Sequence, residues 1–131
     1  MRARPPARHE LPEIDAAAFE AARAVDRLLD EARRLADVAT ASGAKTSAVS
    51  SAVTGRGVPA AERWAGYFQR LPDQLRDEPL PGLVAAARRV RAAYGPKDSV
   101  RDTFERGLTE PLLDTVDRLL KAIARYEAER Q

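Results

Sequence analysis

The chain has 131 residues, 44% hydrophobic and 32% charged, enough for one domain with a single core and ordinary for a globular protein. Aromatic residues make up only 5%, so a core must come from Ala, Leu and Val, which favours close-packed helices, and the absence of cysteine excludes disulfides and thiolate metal sites. The formal charge of +2 does not by itself imply nucleic-acid affinity, and no apolar run approaches the ~20 residues that span a bilayer, so a membrane role is not expected.

Residues 1–12 read as a flexible basic arm. Arg2, Arg4 and Arg8 precede the first acid, Glu10, among Pro5, Pro6 and Pro12, too little apolar surface to order a segment. Such an arm is a solvated tail or a contact to phosphates and the minor groove. A first helix follows from about Glu13 to Ser42. Ile14, Ala18, Ala22, Val25, Leu29, Ala32, Ala36 and Ala39 alternate by three and four, which predicts one buried stripe. A helix of that length either breaks near Asp30 or Asp37 or stays whole.

From Val38 to Gly57 the pattern becomes two helices hinged at a glycine. Ala39 lies four residues before Gly43, where two helices must approach closely, and Gly43 can adopt the left-handed conformation that ends a helix. Thr46 or Ser47 can cap the next helix, Val49, Ala52 and Val53 form its buried side, and Lys45, Thr46, Ser47, Ser50, Ser51 and Thr54 face outward. Small hydroxyls with one lysine suit a helix in a major groove; the same residues could also cap an ordinary bundle helix. Residues 38–62, through Gly-Arg-Gly-Val-Pro to Glu62, resemble the helix-turn-helix of small bacterial repressors of the Cro/C1 (XRE-like) and LacI-like kind. Ala39, Gly43, Ala48-Val49-Ser50 and Ala52-Val53 carry the resemblance; it departs in three places, at Ser42 and Ala48, where an apolar residue and a threonine are usual, and in having no visible loop before the first motif helix. The resemblance implies a reading helix at about 46–54 that meets double-stranded DNA through Lys45, Thr46, Ser47, Ser50 and Ser51, with Arg56 near the phosphates.

Gly55, Gly57 and Pro59 break the chain again, and a helix is expected from about Pro59 to Leu71. Trp64, Tyr67, Phe68 and Leu71 recur at helical spacing and read as a core anchor. A base-stacking platform would need exposure, and interleaved basic side chains on the same face, which the spacing does not supply. From Gly43 to Arg76 five basic residues face only Glu62 and Asp73, so the motif lies in a net-positive segment. Leu71–Gly82, with Pro72, Pro79 and Pro81, reads as a linker between a helical region at 13–75 and another at 80–131. The next helix, about Leu80 to Tyr94, presents Leu83, Ala87, Val90 and Tyr94 on one side and Arg88, Arg89 and Arg91 on the other, a solvated basic face or a strip toward phosphate.

Gly95 and Pro96 stop that helix, Asp98 or Ser99 can cap its successor, and a last element reaches about Arg130, with a kink between Gly107 and Pro111. Leu112, Val116, Leu119, Ile123 and Tyr126 repeat with a heptad rhythm, which suits a dimerisation surface or an inward face of the bundle. Catalysis has little basis. The single histidine, His9, lies in the arm, so no Ser or Thr has an imidazole base and no histidine pair can hold a metal, and no cofactor is expected.

The expectation is an all-α, single-domain bundle of about five helices containing a helix-turn-helix. It would act as a cytoplasmic, non-enzymatic DNA-binding regulator and homodimer. The alternative is a helical protein–protein interaction module. Trp64-Ala65-Gly66 resembles the WXG signature of small helical-hairpin proteins exported by type VII secretion, where the tripeptide occupies the hairpin turn.

Overall fold

The structure, a computed structural model, describes residues 7–43, 57–95 and 99–130, and for residues 38–43 and 57–59 the backbone alone. The described residues are all-α and contain no strand. Four longer helices are α1 (Pro12–Gly43), α2 (Gly57–Phe68), α4 (Leu80–Ala92) and α5 (Arg106–Arg130); α3 (Leu71–Asp77) is a short helix between them, and single 3-10 turns stand at Arg8–Glu10 and Val100–Asp102.

α1 is the axis of the bundle. It runs unbroken for 32 residues, roughly 48 Å at 1.5 Å per residue, so of the two courses open to it the helix stays whole past Asp30 and Asp37. It packs against α2, α3 and α5. Three neighbours demand more than one apolar stripe. Ile14, Ala18, Ala22, Val25, Leu29 and Ala32 are buried as the periodicity predicts, and Ala21, Ala24 and Leu28 are buried beside them. The alanines matter here because a methyl group lets helix axes approach at the short end of the ordinary 8–10 Å separation.

α5 lies antiparallel along α1. Arg125 Nη1 is 3.2 Å from Glu13 Oε1, and one heptad away on both helices Arg118 Nη1 is 3.6 Å from Glu20 Oε2. Leu112, Val116, Leu119 and Ile123 project into this seam and are 0–3% exposed. The heptad rhythm therefore marks the inward face, and its assignment as a dimerisation surface is corrected: these side chains are consumed by packing within one chain. Pro111 lies within the first turns of α5 without ending it.

The segment 71–82 is no linker. Leu71–Asp77 forms α3, with Pro72 in its first turn, where a missing N–H costs nothing, and Leu71, Pro72 and Leu75 are buried against the core. Arg76 of α3 forms an ion pair with Asp26 of α1. The two halves expected on either side of this segment are one core.

Residues 8–12, expected to belong to a flexible basic arm, are fixed to the fold. Arg8 Nη1 donates to the Glu78 carbonyl at 2.8 Å, its Nη2 lies 2.8 Å from Asp15 Oδ1, and its side chain is only 12% exposed. Leu11 is buried as well. The chain is therefore fixed from Arg8 onward, between α1 and the α3–α4 connection. At the other end of α4, Ser99 caps the second 3-10 turn: its Oγ accepts from Arg101 N at 3.2 Å while its own N–H donates to Asp102 Oδ2 at 3.1 Å. No described helix is long and apolar enough to cross a membrane.

Candidate nucleic-acid interface

Lys45, Thr46, Ser47, Ser50, Ser51 and Arg56, and the expected reading helix at 46–54, lie outside the described residues. What the structure describes is their frame. Among the described residues α1 reaches Gly43 and α2 starts at Gly57, on either side of this segment.

α2 carries the aromatic cluster. Trp64, Tyr67 and Phe68 meet in near-perpendicular and tilted pairs with ring centroids 5.2–5.9 Å apart. Phe68 is fully buried and Trp64 nearly so, as a core anchor requires, and the Trp64 Nε1 donor is buried without an acceptor among the described residues. Tyr67 differs from its neighbours. It is half-buried and faces α4, where its hydroxyl donates to the Arg89 carbonyl while the Arg89 guanidinium lies 4.7 Å above its ring. Burial raises the phenol's pKa, partly offset by the Arg89 charge, so Tyr67 remains a neutral donor. Arg63 lies over Trp64 at 5.9 Å. Basic side chains therefore accompany the aromatic cluster, but Trp64 and Phe68 lack the exposure that a base-stacking platform needs. One of these arginines comes from α4, across the fold, where sequence spacing within α2 could not show it.

Between the α2–α3 turn and α4 runs an open groove in two lobes that share Gln74 and Arg89. The smaller, about 280 Å³, is lined by Gly66, Tyr67, Gln69, Arg70, Leu71, Gln74 and Arg89, and none of these is acidic. The larger, about 510 Å³, continues past Arg88 to Glu78, which stands by the N-terminus of α4. Arg63, Arg70, Arg88 and Arg89 are all exposed, and none enters an ion pair among the described residues. Local sequence explains why. Arg63, Arg88 and Arg89 have no acid three or four residues away on either side, and the acid so placed for Arg70, Asp73, lies 3.9 Å from Arg76. Arg23 and Arg27 on α1 are also outside ion pairs, but they stand three or four residues from Glu20, Asp26, Asp30 and Glu31.

Among the described residues no cluster of His, Asp and Glu is arranged to hold a metal. The strongest titration shift belongs to Tyr94, whose phenol is pushed upward first by burial and next by Glu110; its hydroxyl donates to the Thr109 carbonyl at 2.6 Å. Arg101 grips Glu110 through Nε and Nη2 at 2.9 and 3.2 Å and holds its carboxyl below the usual range. These groups tie the end of α4 to α5. Trp64-Ala65-Gly66 lies inside α2, not in a hairpin turn, so the geometry of the WXG signature is not reproduced. No protein-family model, no curated protein and no solved structure matches the chain.

Proposed function

We propose that this protein is a non-enzymatic, cytoplasmic DNA-binding regulator that works as a homodimer. In this reading the helix at about 46–54 reads the major groove and the exposed arginines of α2–α4 face the phosphates. The observation that carries the reading is the uneven pairing of cations. On the α1–α5 seam Arg118 and Arg125 meet Glu20 and Glu13 across the helices, whereas Arg63, Arg70, Arg88 and Arg89 have no carboxylate partner among the described residues and, unlike the equally unpaired Arg23, Arg27, Arg106 and Lys121, three of them have no acid three or four residues away. Unneutralised arginines at a groove mouth favour a polyanion, because binding releases the counterions condensed along it.

The assignment gives each group a task. Arginine forks meet phosphate oxygens bidentately and fix register, and the short hydroxyls Ser47, Ser50 and Ser51 meet base edges. Dimerisation, which doubles the contact area and sets half-site spacing, then uses a surface other than the buried α5 heptad.

Ser50→Glu tests the reading helix. Fluorescence anisotropy with duplexes from the gene's own upstream region and with scrambled duplexes, across a salt series, should show specific binding in the native protein and its loss in the variant, with helical circular dichroism retained. Equal binding by the two proteins would remove the assignment of 46–54.

A further inference from the structure

We propose that the acid-free lobe between the α2–α3 turn and α4 is a second, sequence-independent seat for the nucleic-acid backbone, in which Arg70 and Arg89 hold a phosphodiester with Gln69 and Gln74 beside it. This inference rests on the DNA-binding reading and extends it to a place on the fold outside the helix-turn-helix segment.

Three features of the lobe fit one partner. Its charge is of one sign: Arg70 and Arg89 line it without any carboxylate. One of its cations is held in place. Tyr67 secures Arg89 twice, through the hydroxyl donated to the Arg89 carbonyl and through the ring beneath the guanidinium, 4.7 Å from its centroid. A guanidinium resting on a ring has fewer rotamers left to lose on binding than a free exposed arginine. The lobe also admits a backbone: Gly66 on its rim has open space where a Cβ would stand. A groove open to solvent, with planar forks and neutral amides, suits the repeating phosphates of a polymer better than an enclosed small anion.

The larger lobe gives the seat a direction. Arg88 continues the cationic line from Arg89, and Glu78 ends it at the N-terminus of α4. A strand lying in the groove therefore runs from Arg70 past Arg89 to Arg88 and leaves before Glu78, where like charge would repel it. Arg8, bonded to the Glu78 carbonyl, brings the root of the basic N-terminal segment to this same end.

The test compares Arg70→Gln/Arg89→Gln with Arg23→Gln/Arg27→Gln, which removes the same charge from α1, using a mixed-sequence DNA duplex, a salt series and the full chain. All four side chains are exposed, so melting temperature and circular dichroism should stay near native values in both variants. The groove variant should lose on the order of tenfold to a hundredfold in affinity at moderate salt, equally on specific and scrambled duplexes, with the log–log salt slope reduced by about 1.8 for two lost phosphate contacts. The α1 variant should keep the native slope. Native slope in the groove variant would overturn the seat while leaving the reading helix standing. Absence of salt-dependent binding by the native protein would overturn the DNA reading and the seat with it. As a second readout, the Arg70 and Arg89 Nε–Hε resonances should shift on duplex addition in the native protein and in Ser50→Glu alike; shifts at the α1 arginines instead would contradict the location.

Discussion

The α1–α5 seam and the α2–α4 face use the same residue types to opposite ends. Along the seam, Arg118 and Arg125 reach carboxylates on the facing helix, and Arg33 and Arg34 pair with Asp30 and Glu31 on their own. Across α2–α4, Arg63 and Arg89 lie over aromatic rings and Arg70 and Arg88 are exposed, none with a carboxylate partner among the described residues. The pairs on the seam are exposed and contribute little each, because solvent screens them and holding two long side chains costs entropy. Hydrophobic burial stabilises the seam, and the ion pairs set its register. The difference teaches that an arginine-rich sequence acquires an electrostatic purpose through where its acids fall: α4 holds three arginines and no acid, and only Arg91 finds one, Asp117 at 3.2 Å.

Breaking the apolar part of the seam should have the largest effect. Leu119 is fully buried, so Leu119→Asp places an unpaired carboxylate in the core and should cost at least ~4 kcal/mol, abolishing the cooperative thermal transition. A folded variant with altered mass in light scattering would restore the dimerisation surface. A smaller effect should come from the tie between the regions. Tyr94→Phe removes the hydrogen bond to the Thr109 carbonyl and should cost about 1 kcal/mol at neutral pH in denaturant unfolding. The same residue carries a pH signature. Its phenol titrates higher folded than unfolded, so its contribution is complete below the unfolded value near ~10 and is lost as pH rises beyond it. Native stability should fall above that pH, and the fall should be shallower in Tyr94→Phe; parallel pH curves would remove Tyr94 as its source. The smallest change should be Arg118→Ala, within ~0.5 kcal/mol of native stability, since the pair with Glu20 is exposed at both ends. A loss several times larger would mean that the charges, not the apolar heptad, hold the seam.

Much of the fold was legible because it is written in local periodicity. The three–four alternation from Ile14 predicts the start of α1 to within a residue and Gly95 and Pro96 follow the end of α4, whereas Ser99, expected with Asp98 as a cap of the last helix, caps a separate 3-10 turn and the last helix starts only at Arg106. Two local signals misdirected. The three prolines of 71–82 resemble a linker, but Pro72 sits where a helix tolerates proline and Leu71 and Leu75 supply buried area. The α5 heptad gives the spacing of an interface and not the identity of what faces it, and its residues prove to be buried within the same chain, where α5 packs on α1 and α4. The groove was least legible. Arg88 and Arg89 read as a solvated face and Tyr67 as core because their meeting depends on how α2 and α4 pack, which spacing within either helix does not encode.

The most direct measurement exchanges the two regions. Converting Arg63, Arg70, Arg88 and Arg89 to glutamine, and separately Arg33, Arg34, Arg118 and Arg125, removes four positive charges from each side of the molecule. Duplex binding is then measured by anisotropy across the same salt series. The first protein should lose most of its salt-dependent affinity and the second should retain the native slope. Equal losses in the two proteins would show that DNA senses only net charge and would contradict a dedicated α2–α4 face.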